Sequence, residues 1–110
     1  MKNYLQDGDT LTIAAPAAVA SGDPVQIGSI FGVAMADAAT GADVAIVREG
    51  IFTLPKVSAQ AWAVGAKIYW DATNKVCTTA ATGNTLIGTA TAAAANPSAT
   101  GTVLLDGTVR

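Results

Sequence analysis

The chain has 110 residues, of which 51% are hydrophobic and 24 are alanine, with a net charge of −2. It has no histidine and a single cysteine, Cys77, which excludes His-based acid–base chemistry, an intrachain disulfide and a zinc site built on Cys and His. A pI near 4.6 and the lack of any basic run argue against a nucleic-acid partner, and the length fits one small domain.

Residues Met1–Asp9 precede the first clear strand, with Tyr4 and Leu5 as apolar side chains among Lys2, Asn3, Gln6 and Asp7. Ala18-Val19-Ala20-Ser21 resembles a signal-peptidase site. The acids and Pro16 ahead of it and the short apolar run Leu11–Ala15 argue against a signal peptide. Alternation of Thr with Leu and Ile predicts a strand over Thr10–Ala15, stopped by Pro16. Ser21-Gly22-Asp23-Pro24 is a turn by composition. Strands are expected at Val25–Ile27, Ile30–Ala34, Asp43–Arg48 and Ile51–Leu54. Ser58–Val64, with Ser58 as N-cap, three alanines and Gly65 as the stop, predicts one short helix held to the sheet by Trp62. Lys67–Trp70 and Lys75–Thr78 form a hairpin across Asp71-Ala72-Thr73-Asn74. Leu86–Ala92 and Thr102–Leu105 are further strands, and Asp106–Arg110 reads as a surface tail. The uncharged stretch Val76–Leu105 is too broken by polar residues and Pro97 to span a membrane, so no membrane partner is expected.

A faint internal repeat runs through this pattern. Gly22-Asp23-Pro24-Val25, Ile30-Phe31-Gly32-Val33-Ala34-Met35-Ala36, Thr40-Gly41 and Val44 answer to Gly65-Ala66-Lys67-Ile68, Leu86-Ile87-Gly88-Thr89-Ala90-Thr91-Ala92, Thr100-Gly101 and Val103. Such a repeat implies a pseudo-symmetric β-barrel of two similar halves.

Chemistry-bearing constellations are sparse. Asp7 and Asp9 flank Gly8 but lack the later ligands of a calcium loop. Asp37 and Asp43 flank a turn, and Ser21, Ser29, Ser58 and Ser98 have no histidine to activate them. Gly83 and Gly88 lack the lysine of a phosphate loop. Cys77 sits between Val76 and Thr78 with no nearby cation to lower its pKa. No catalytic residue, metal site or cofactor is therefore expected. The one aromatic cluster is Trp62, Tyr69 and Trp70. It reads as core or subunit packing, because large side chains are scarce here, with Trp70 beside Ile68 on the inner face and Tyr69 beside Lys67 on the outer. A stacking platform for a sugar or peptide is the other reading.

Met1-Lys2-Asn3-Tyr4-Leu5-Gln6-Asp7-Gly8-Asp9-Thr10-Leu11 resembles the start of tailed-bacteriophage capsid cement (head decoration) proteins. So do Ser21–Val25, Phe31-Gly32-Val33-Ala34, Gly50–Lys56, Gly65–Asp71, Gly83–Gly88 and Val103-Leu104-Leu105, in that order over nearly the whole chain. The resemblance implies a mainly β fold, a small β-tulip or β-clip-like barrel of many short strands. It implies homotrimers on the outer surface of the expanded head at three-fold and quasi-three-fold positions, made in the host bacterial cytoplasm. The partner would be the major capsid protein, and the role stabilisation against packaged DNA, with no catalysis and no cofactor. With a capsid as partner, residues 1–9 become a capsid-binding arm, with Lys2, Asn3, Tyr4, Leu5 and Gln6 in contact, and 10–110 a single β-rich domain. The alternative is a carbohydrate- or peptide-binding β-module of a phage fibre or adhesin, working through Trp62, Tyr69 and Trp70.

Overall fold

Leu11 and Ile13 alternate with Thr10, Thr12 and Ala14, and this period of two sets the first strand of the computed structural model, which describes residues 10–107. Among the described residues nine strands follow one another: β1 (Thr10–Ala14), β2 (Pro24–Ile27), β3 (Ile30–Ala34), β4 (Asp43–Val47), β5 (Glu49–Pro55), β6 (Lys67–Asp71), β7 (Val76–Thr78), β8 (Thr85–Ala90) and β9 (Thr100–Asp106). They form two antiparallel sheets, ordered β1-β4-β3-β2 and β5-β9-β8-β6-β7.

The two orders are one pattern used twice. Replacing β1, β2, β3 and β4 by β5, β6, β8 and β9 converts the first sheet into the second, and β7 is an addition at its edge. The connections agree down to single hydrogen bonds. Val19 and Ala38 exchange two backbone bonds of 2.9 Å between the β1–β2 and β3–β4 loops, and Trp62 and Ala94 do the same in the second half at 2.9 and 3.0 Å. The Gly22 N–H donates to the Ala34 carbonyl, and the Gly65 N–H to that of Ala90. Both glycines have positive φ, 91° and 85°, the left-handed conformation that a side chain makes costly. Gly32 and Gly88 are also equivalent: a Cβ on either would collide with a backbone carbonyl of the adjacent strand, Val47 or Leu104.

The repeat landmarks around Gly22, Gly32, Gly65 and Gly88 therefore hold. The Thr-Gly landmarks do not. The N–H of Met35 donates to Ala45 and that of Thr91 to Thr102, which makes Val44 the counterpart of Gly101 and Ile46 the counterpart of Val103. The halves are two sheets with separate cores. Ala15, Val25, Ala34, Val44 and Ile46 pack together in the first. Leu54, Trp62, Ile68, Trp70, Cys77, Ile87, Ala90, Val103 and Leu105 pack in the second. The exchange of Val44 for Gly101 is offset by that of Val19 for Trp62, whose ring fills the space a Cβ on Gly101 would enter. The halves thus conserve core volume with different residues.

Two expectations are corrected. No helix occurs among the described residues, and Ser58–Val64 is a turn followed by an extended bridge. A short segment gains few helical bonds for its nucleation cost, whereas the Trp62–Ala94 bridge gives Trp62 two backbone bonds and seats its ring over Gly101. Asp106 is not part of a tail. It ends β9 opposite Glu49, because Leu105 is buried in the second core and carries the strand on.

Candidate functional site

Trp62 and Trp70 are both interior, at 3% and 4% exposure. The Trp62 indole N–H donates to the Gln60 side-chain oxygen at 3.2 Å, and Gln60 in turn donates to the Thr78 hydroxyl at 2.8 Å. Trp70 pairs with Cys77 of β7 and meets Phe31 ring to ring at 5.3 Å between centroids, tilted by 53°. The alternation of β6 puts Lys67 and half-buried Tyr69 on the face opposite Ile68 and Trp70. Two of the three rings are thus spent on the core, and of the three only Tyr69 faces outward.

Lys56 is a buried side chain that the sequence reading missed. It is 3% exposed, at the position where the first half has Ala15. Its ammonium donates to the Val57 carbonyl at 2.8 Å and to that of Ser98 at 3.4 Å, and lies 5.7 Å from the centre of the Trp62 ring. Carbonyl dipoles and the ring face offset the loss of water around the charge. No spacing signal distinguishes this lysine from a surface one.

Two titratable groups among the described residues are shifted by their surroundings. Burial pushes the Cys77 thiol up to about 12, so it stays protonated near neutrality. Asp71 caps its hairpin: its carboxylate accepts from the Asn74 side chain at 2.8 Å and from the backbone N–H groups of Thr73 and Asn74. Those bonds, the Asn74 side chain first, lower its pKa. Among the described residues no three His, Cys, Asp or Glu side chains come together around a possible metal. Asp7 and Asp9, and the arm residues Lys2, Asn3, Tyr4, Leu5 and Gln6, lie outside the described residues. No helix among the described residues is long and apolar enough to cross a membrane.

What the surface offers is apolar contact area. Ile51 is 62% exposed and Leu104, its cross-strand partner, 39%. Both lie on the outer face of the second sheet, where Lys67, Leu86, Gly88, Thr89, Leu104 and Asp106 line a hollow of about 200 Å³. A larger cleft, about 360 Å³, runs between the halves, with Pro16, Val19 and Pro24 on one side and Pro55, Trp70 and Lys75 on the other.

The described residues thus form an all-β body whose second sheet exposes Ile51 and Leu104 on its outer face. A family model described as a phage cement protein matches residues 5–105, from ahead of β1 almost to the end of β9. The chain belongs to the phage cement protein family, whose role is structural, on the capsid surface of the virion. No curated protein and no solved structure gives a significant match.

Proposed function

We propose that this protein decorates the outer surface of an expanded phage head, binds the major capsid protein, and stabilises the shell against the pressure of packaged DNA. It acts as a homotrimer with a β-tulip-like body, seated at three-fold and quasi-three-fold positions, and is made in the host cytoplasm before it joins the head. It performs no catalysis and needs no cofactor. Family membership over residues 5–105 carries this reading. The exposed Ile51–Leu104 pair, in a chain with few large apolar residues, supports self-association.

Residues 1–9 act as the capsid-binding arm ahead of a single β-rich domain, 10–110. Tyr4 and Leu5 fill pockets while the backbone of Lys2–Gln6 adds a strand to a capsid edge. Ordering such an arm costs about 1–2 kcal/mol per residue, so several arms on one oligomer supply the avidity. Deleting residues 1–9 tests this: the oligomer and its melting temperature stay unchanged while binding to heads is lost. Heads that still bind the truncated chain contradict the arm.

A further inference from the structure

The β2–β3 part of the outer face of the first sheet is already occupied, and its occupant is the other half of the same chain. On that face Gln26 stands opposite Phe31, and Val33 is 5% exposed. The covering part of the second half is the end of its sheet where Trp70 pairs with Thr85. Phe31 packs on Trp70 at 5.3 Å, the Gln26 amide donates to the Thr85 hydroxyl at 3.0 Å, and Val33 joins the second core.

The duplication makes the positions of this contact transferable. A register shift between Ile68 and Tyr69 turns Ile87, the sequence counterpart of Phe31, into the second core, so that Leu86, paired with Tyr69, takes the outward place that Phe31 has opposite Gln26, and Leu104 stands where Val47 does. Here, among the described residues, Leu104 and Ile51 stay 39% and 62% exposed beside the 200 Å³ hollow. The first half also carries a sheet end equivalent to Trp70–Thr85, the pair Ile27–Ile30. We infer that the outer face of the second sheet seats a second copy of this chain. The Ile27–Ile30 end of one copy docks on Tyr69, Leu86 and Leu104 of the next, repeating between chains the contact that joins the halves within one.

Such a contact joins two different patches, so it is heterologous and builds a ring or an open chain of copies rather than a two-fold dimer. The inference rests on the self-association proposed above and names its surfaces. The test is sedimentation velocity from micromolar to millimolar concentration, with thermal melts as the check on folding. Leu104→Lys and Ile51→Lys weaken self-association by about ten-fold or more, and Ile27→Asp does the same from the other side. Met35→Lys, at an apolar position 54% exposed elsewhere, leaves it unchanged. Each Ile27→Asp chain keeps an intact face and each Leu104→Lys chain an intact end, so an equimolar mixture forms one-to-one pairs that grow no further. An oligomer that tolerates Leu104→Lys and Ile51→Lys overturns the assignment of the face. A mixture that stays monomeric overturns the head-to-tail geometry, and a wild-type chain that is monomeric throughout overturns the self-association reading itself.

Discussion

Neighbouring residues of β6 have opposite duties. Trp70 is 4% exposed and joins the Phe31 ring to the second core, while Tyr69 is half-buried on the outer face. Trp70→Ala removes a ring from between the halves, and such truncations cost about 3–5 kcal/mol. Tyr69→Ala shifts the melting temperature far less and acts on assembly instead. Equal shifts of the two melts would mean that the faces of β6 are misassigned. Cys77 gives a second expectation at this scale. Its buried thiol, with a pKa raised from 9.0 to about 12, resists iodoacetamide at pH 8 until urea unfolds the chain. The linkage has a definite sign: the folded form holds its proton longer than the unfolded one. Cys77 therefore costs no stability below pH 9.0, and stability falls as pH rises from 9.0 towards about 12.

Elements show what the sequence does and does not carry. Alternation over Thr10–Ala14 and Lys67–Asp71, and the turn residues at Gly22 and Asp71, place strands and hairpins from local pattern alone. The same alternation sends Phe52 and Leu54 inward and Ile51 and Thr53 outward, so the open face was legible although its partner was not. Ser58–Val64 was misread because its alanines and cap favour a helix locally, while its state is decided by Ala94 and Gly101, which are remote in sequence. Burial of Lys56 was hidden for the same reason, since its partners Trp62 and Ser98 meet it only in the fold. The Trp62–Gly101 pair gives a direct test of the exchanged core. Gly101→Val drives its Cβ into the Trp62 ring and costs about 1–3 kcal/mol, and Trp62→Val opens a cavity of similar cost. Trp62→Val with Gly101→Val installs the valines that the first half has at Val19 and Val44. Urea denaturation of the double variant then gives a loss smaller than the sum of the single losses by about 1–3 kcal/mol. Simple additivity would mean that the two positions do not exchange volume.

At the scale of the whole molecule, a repeated four-stranded unit supplies two small cores, neither large enough to hide every apolar side chain. One outer face is covered in part by the other half, and the other keeps Ile51 and Leu104 exposed among the described residues. A protein of this build gains stability by binding, and in the role proposed above that binding energy goes to the shell. The most direct measurement is co-sedimentation of the purified protein with expanded, undecorated heads of its own phage, followed by heating of the decorated and bare particles. The account predicts saturable pelleting with the heads and a higher temperature of DNA release from decorated particles. Protein that stays in the supernatant at every concentration, or decorated heads that rupture at the same temperature as bare ones, would contradict it.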